Sequence, residues 1–324
     1  MKKIHLISTL IGLLAFSTLA KADLKVVTSI KPIHSLASYI MDGVGSPGLI
    51  VDGYNSPHSF QLKPSHAKML EQADIIFWIG EDLENFLEKP LATIAKKAEK
   101  IELLEIKGIK KLKFRERNIF EEHEEHDDHG HDAKKEEHDD HGHDAKKEEH
   151  DEHDAHGHGE YDPHIWLDPI NAKVILNEIT EHLIENDSKN ASTYKSNLAK
   201  ALAKIDKLII DVITETNTDL SYVVFHDAYQ YYENRFNVKI LGAMTVNPDV
   251  MPGAEQIHEI HEVIEHDNVN CILSEPQFNP DIIKSIAKDT NVKTGVLDPL
   301  GANLKPGKDL YFDLIRNMSA SFNC

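Results

Sequence analysis

Short apolar runs alternate along the chain with stretches in which apolar residues recur every three or four positions. In the first third the runs at 25–30, 49–51, 74–79 and 101–104 are β-branched or aromatic and close on Pro, Gly or charge, as strands do. Between them the spacing predicts helices at 34–41, at 64–72 with Pro64 in its first position, and at 83–91 continuing into 94–98. The last third repeats the alternation, with strands at 222–225, 238–241, 269–273 and 296–297. Helices fall between and after them, at 228–236, 253–265, 281–289 and 310–322. Strand and helix in strict turn predict parallel βαβ units. An amphipathic helix at 171–185 and a stretch at 188–216 without Gly or Pro lie between the two halves. At 1.5 Å per residue the second would run ~40 Å, more than one small domain requires. The expected fold is therefore α/β. It has a first lobe over 23–187, a long rigid linking helix over 188–216 and a second lobe over 217–324. Each lobe should hold a small, mostly parallel sheet flanked by helices. A length of 324 residues suits two such lobes or one large domain.

Two segments do not fit this pattern. Lys2 and Lys3 precede an apolar run from Ile4 to Leu19, followed by Ala20-Lys21-Ala22. That is the charged start, apolar middle and small-residue cleavage site of a secretory leader, and the run is too short for a spanning helix. Residues 1–22 are thus expected to be removed, leaving a mature chain that starts at Asp23 outside the cytoplasm, most simply in a periplasm. No cysteine follows the apolar run, so no lipid anchor is expected.

The second is the stretch 118–160, which holds 18 Asp or Glu against four Lys, a charge of −14 out of the whole chain's −20. Eleven of the 21 histidines lie in it, and the block that starts at His126 recurs at His138 and begins again at His150. Such a composition cannot bury a core and is expected to stay disordered. Solubility needs only the acids. The interleaved imidazoles point to weak, multivalent metal capture, with His126, His129, His131, His138, His141, His143, His150 and His153 as its ligands. No basic stripe with interleaved aromatics exists, which argues against nucleic acid. Only Cys271 and Cys324 are present. In an oxidising compartment they are expected to pair, tying the C-terminal helix to a strand, with a buried thiol and a frayed end as the alternative.

The remaining chemistry sits at strand ends, where sheets of this kind place ligand-binding groups. His58 lies just past the strand ending at Val51, His226 directly follows Tyr222-Val-Val-Phe225, and Asp298 follows Val296-Leu297. His164 opens the apolar segment after the tract. Singly, each reads equally well as a satisfied loop residue. Together, beside a metal-attracting tract, three imidazoles and a carboxylate suit four-coordinate Zn²⁺, whereas Mn²⁺ prefers more oxygen. A manganese or broad-specificity carrier and a secreted zinc hydrolase are the rival readings. The run His258-Glu-Ile-His261-Glu-Val-Ile-Glu-His266 is not a zinc-protease signature, because His261 and His266 are five apart rather than four. A solvated helix face explains it, and His34, His66 and His182, without clustered partners in the sequence, read as structural.

Six segments carry a family resemblance. They are Val27-Thr-Ser-Ile-Lys-Pro32, Pro57-His58-Ser-Phe-Gln-Leu-Lys-Pro64, His164-Ile-Trp-Leu-Asp-Pro169, Val224-Phe-His226-Asp-Ala-Tyr229, Ser274-Glu-Pro-Gln-Phe278 and Leu297-Asp-Pro-Leu-Gly301. In this order the chain resembles the periplasmic zinc-binding proteins of ZnuA type, the solute-binding components of bacterial zinc ABC transporters. The resemblance implies two α/β lobes with the metal held between them, and gives the ligand roles to His58, His164 and His226. Related metal-binding proteins use an aspartate at the position of Asp298. It implies further that the tract is the family's His-rich acidic loop and that Cys271 and Cys324 form the family's disulfide. A monomer that hands Zn²⁺ to an inner-membrane ABC permease is the expected biology.

Overall fold

The structure, a computed structural model, describes residues 23–120, 159–248 and 250–324. The expected leader and the tract histidines from His126 to His153 lie outside the described residues. Two four-stranded sheets form the framework, and every strand pair in them is parallel. The first is built from β1 (Val26–Ile30), β2 (Gly48–Val51), β3 (Ile75–Trp78) and β4 (Glu99–Glu102), in the order β2-β1-β3-β4. The second, from β5 (Ser221–His226), β6 (Lys239–Thr245), β7 (Cys271–Ser274) and β8 (Lys293–Val296), repeats that order as β6-β5-β7-β8. In each, the first strand in sequence lies at the point where the strand order reverses. The central strands β1, β3 and β5 are buried throughout, which explains their unbroken apolar runs.

Helices α1 (Lys31–Ile40), α2 (Pro64–Gln72), α3 (Glu81–Thr93) and α4 (Pro169–Asn186) accompany the first sheet. After α5 (Ala191–Glu215) come α6 (Gln230–Phe236), α7 (Ala254–His266), α8 (Asp281–Thr290) and α9 (Leu310–Ser321). Pro32 and Pro64 sit in first turns, where a missing N–H costs nothing. The expected helix continuation at 94–98 is instead a turn, because the chain must reverse there to enter β4. Strands β4 and β8 start two and three residues before the apolar runs that announced them. Both are edge strands with exposed first residues, so hydrophobicity marks only their ends.

Helix α5, about 37 Å long at 1.5 Å per residue, buries Tyr194, Asn197, Ala201, Ile205, Leu208 and Val212 along one stripe. It packs on α1, α4 and α9, and α9 also packs on α1. A single apolar cluster consequently runs from Val26 and Ile76 in the first sheet through Ile205 to Tyr222, Ile315 and Phe322. The long helix is one part of a core shared by both halves. Cys271 and Cys324 form the disulfide, 53 residues apart in sequence, which fixes the end of α9 to β7.

After β4 the chain crosses between the halves as an extended strap. Phe120 N–H donates to Leu241 O (2.8 Å) and Ala243 N–H to Asn118 O (2.8 Å), so the strap covers the free edge of β6 in antiparallel pairing. The approach demands Gly242, since a Cβ there would lie 2.7 Å from Asn118 O. On the far side of the tract, residues 160–162 return along the strap's first part. Asp162 N–H donates to Leu112 O (2.8 Å), and Lys113 pairs with Tyr161.

Candidate metal centre

Three elements bring the histidines together. His226 is the last residue of β5, at the reversal point of the second sheet. His58 comes from the loop between β2 and α2, its N–H donating to Ser56 Oγ (3.2 Å). His164 stands at the head of a short 3-10 turn, Ile165–Leu167, that leads into α4. One ligand atom from each lies within 4.8 Å of the others, with His58 half-buried and His164 and His226 buried. The ring centroids are 5.3–5.6 Å apart.

The distance that decides the chemistry is between His164 Nε2 and His226 Nε2, 3.4 Å. Two nitrogens bound at ~2.0–2.1 Å to a tetrahedral zinc must be ~3.3–3.4 Å apart. Both remote ring nitrogens are held by carboxylates. His164 Nδ1 is 2.7 Å from Asp162 Oδ1, which also accepts the His164 backbone N–H (2.9 Å). His226 Nδ1 is 2.6 Å from Glu275 Oε1. A carboxylate behind the Nδ1 proton turns the Nε2 lone pair toward the ion and raises its basicity. Asp162 is wholly buried and Glu275 nearly so.

Burial sets the charge states. Desolvation and then the neighbouring His226 push His164 well below the ordinary imidazole value. Desolvation acts on His226 too, but the charge and hydrogen bond of Glu275, helped by Asp227 and Asp162, outweigh it and raise His226. Desolvation lifts Asp162 to about 7. Without an ion, one proton on His226 Nε2 can thus bridge to the neutral His164 Nε2. A divalent cation would replace that proton.

Apolar side chains form much of the wall, beside Ser56, Glu275 and Gln277. Trp166, fully buried beside His164, donates from Nε1 to Pro299 O across the cleft (2.9 Å). Phe278 meets His226 edge to face at 5.7 Å. The cavity these residues enclose with Pro299 and Leu300 measures about 10 Å³, the room of one ion or water.

Asp298 does not join the three histidines among the described residues. Its Oδ1 accepts from the backbone N–H of Leu300 (3.1 Å) and Gly301 (2.9 Å) and from Gln277 Nε2 (2.9 Å). Its Oδ2 accepts from Ala302 N–H (2.6 Å). An aspartate two residues past a strand can fold onto its own turn as readily as face a cleft, and here it does the former. His182 likewise departs from expectation, since it has clustered partners: Nδ1 lies 2.8 Å from Glu99 Oε1 and Nε2 3.2 Å from Glu178 Oε1. The α7 histidines behave as a solvated face, with His258 exposed beside Glu262.

Sequence reading missed Asp162 and Glu275, and both had a signal. Asp162 is two residues from His164. Parallel register pairs Val223 with Ile272 and Val224 with Leu273, and the same offset carried two residues on brings Glu275 beside His226. Arg235 was missed as well; from α6 it grips both oxygens of Asp168 at 2.7 Å, holding the cap of α4 against the second half.

Comparison with known proteins places the chain in a family. The family model described as "Zinc-uptake complex component A periplasmic" matches residues 26–323. The chain belongs to this family. A relative from Brucella abortus, the high-affinity zinc uptake system protein ZnuA, is 46% identical over 335 residues, covering 99% of this chain and 98% of its own. A solved ZnuA structure superposes with a TM-score of 0.70 at 20% identity, covering 93% of this chain and 100% of that one. The solute-binding protein FpvC of Pseudomonas aeruginosa, in complex with Mn²⁺, gives a TM-score of 0.72 at 16% identity over 93% and 98% of the two chains. At those identities the structural likeness speaks for the zinc-uptake fold alone.

Proposed function

We propose that the protein captures Zn²⁺ with high affinity in the periplasm through His58, His164 and His226 and delivers it to an ABC permease. The observation that carries this is the 3.4 Å separation of two Nε2 atoms whose other ring nitrogens are occupied by buried carboxylates. That spacing and donor set suit zinc, with water completing the tetrahedron. Zinc competes with protons for the imidazole nitrogens, and Glu275 raises His226, so binding weakens as pH falls. The three donors that converge are imidazole nitrogens, a set that favours zinc over manganese, the metal of the FpvC complex, although Glu275 and Gln277 also line the cavity. A hydrolase also keeps an open position, but about 10 Å³ leaves no room for an ester or peptide. Among the described residues no helix is long and apolar enough to cross a membrane.

The His-rich tract serves as an auxiliary collector. The chain enters it from the strap on β6 and is described again from residue 159, five residues before His164, so captured ions are concentrated next to the cleft. Each of its histidines binds more weakly than the cleft. Isothermal titration separates the two roles. Deleting 121–158 should lower zinc stoichiometry and leave one tight site, while His226→Ala should weaken the tight site by orders of magnitude. Loss of the tight site with the tract, or unchanged affinity in His226→Ala, refutes the division. Zinc–manganese competition tests the cargo.

A further inference from the structure

We infer that Lys31 is a specificity-determining positioning residue, the anchor of a turn that keeps the Asp298 carboxylate out of the metal's coordination sphere. The inference rests on the zinc reading above and deepens it. Lys31 follows β1 immediately, at the reversal point of the first sheet, the place that His226 occupies in the second. It points no ligand at the ion. Its ammonium is 3% exposed and donates across the cleft to Gly301 O (2.7 Å), Ala302 O (3.0 Å) and Leu304 O (2.7 Å). An ammonium has three N–H donors, and its three backbone hydrogen bonds all go to this one turn, with the Asp52 carboxylate 3.7 Å away as its charge partner. Burying the charge is costly unless such bonds offset it, so the contact is a built feature.

Three carbonyls aimed at one ammonium orient the peptide planes of the turn. The Gly301 carbonyl shares its peptide plane with the Ala302 amide, which faces the opposite way onto Asp298 Oδ2 (2.6 Å), and the amides of Leu300 and Gly301, earlier in the same turn, meet Oδ1 at 3.1 and 2.9 Å. Gly301, at φ 70°, supplies the left-handed residue the turn needs. Lysine and aspartate therefore grip opposite edges of a single turn. Pro299 and Leu300 are turned into the cavity wall, and Trp166 Nε1 holds Pro299 O from the other side. Where a carboxylate would add an oxygen ligand, two apolar side chains stand. To reach the ion, Asp298 must give up three amide bonds and the bond from Gln277.

Releasing the turn should let that oxygen in, moving the site from nitrogen donors toward the oxygen-rich sets manganese prefers. The test is chelator competition on the full chain at less than one equivalent of Zn²⁺ or Mn²⁺, where weak tract sites stay empty. Lys31→Met is expected to strengthen Mn²⁺ relative to Zn²⁺ by at least about tenfold, the scale on which residues behind metal ligands act. Adding Asp298→Asn should abolish that gain, while Asp298→Asn alone leaves the ratio unchanged. X-ray absorption should count one more oxygen neighbour in Lys31→Met only. A simple packing role for Lys31 would weaken both metals alike, with no reversal. If Lys31→Met does not fold, Gln277→Leu removes one bond to Asp298 and should move the ratio in the same direction, again reversed by Asp298→Asn. An unchanged ratio, or a gain that survives Asp298→Asn, overturns the inference. Absence of tight Zn²⁺ binding in the parent chain would instead overturn the zinc reading.

Discussion

Replacing Glu275 by Gln measures how much of the metal affinity resides behind the ligands. The amide keeps the shape and can still accept from His226 Nδ1 at the 2.6 Å contact, so the change removes charge alone. Adding the ring's length and a Zn–N bond to that contact places the carboxylate ~6.5 Å from the ion. At an effective dielectric of about 20, each unit of positive charge there interacts with the carboxylate by about 2.5 kcal/mol. Where the dication takes the place of one proton on the imidazole, the net gain is one unit, and its loss should weaken zinc by roughly 70-fold. That falls within the ten- to hundredfold span of carboxylates behind metal-bound histidines, ~1.4–2.8 kcal/mol. Asp162→Asn, behind His164 at 2.7 Å, should cost about as much, because it too is buried. Chelator competition at pH 7.5 reads both, with near-ultraviolet circular dichroism as the check on fold. A Glu275→Gln variant that binds zinc within about threefold of the parent would refute the charge argument and leave Glu275 a spacer.

Glu84 is wholly buried in α3, and desolvation raises it to about 7 from 4.5. The folded state thus holds its proton more tightly than the unfolded chain, and stability falls as pH rises from about 4.5 to 7, by on the order of 3 kcal/mol. In urea unfolding of the metal-free protein, Glu84→Gln should be the more stable chain at pH 8 and lose that part of the pH dependence. An identical loss between pH 5 and 8 in both chains rejects the assignment. Reducing the Cys271–Cys324 bridge opens a closed loop of 53 residues and should cost about 4 kcal/mol by chain entropy, read as a lower urea midpoint. Because α9 packs on α1 as well as α5, the loss should extend to the first half of the molecule.

The alternation of strands and helices was legible because both sheets are parallel and buried, so their central strands are uninterrupted apolar runs. Legibility stopped at the edges. β8 carries Lys293 and Thr294 exposed, and β4 starts with Glu99 and Lys100 exposed, so nothing in their hydrophobicity marks where they begin. The long helix was visible from its lack of Gly and Pro, but its partners were not. That α9 returns to pack on α1, merging two expected lobes into a shared core, depends on contacts some 280 residues apart in sequence, between Ser35 and Tyr311 for example. Periodicity reports which face of a helix is buried and is silent on what buries it.

The site divides along the same line. His58, His164 and His226 were expected together because three imidazoles in like positions outweigh the even odds that each carries alone, and their ligand atoms do lie within 4.8 Å of one another. Asp298 met the same two criteria and stands apart, since a carboxylate has two competing partners in such a place, an ion or the amides of its own turn. Lys31, 267 positions away in sequence, weighs on which one wins, because its ammonium holds the carbonyl of the peptide whose Ala302 N–H meets Asp298. The carboxylates behind the rings follow a third rule. Asp162 is close in sequence, whereas Glu275 is close only through the offset between β5 and β7, a quantity that hydrophobic pattern leaves free until the sheet is paired. A metal centre of this kind is thus written in the sequence as its imidazoles. Its selectivity and strength lie in the charges that three-dimensional packing sets behind and beside them.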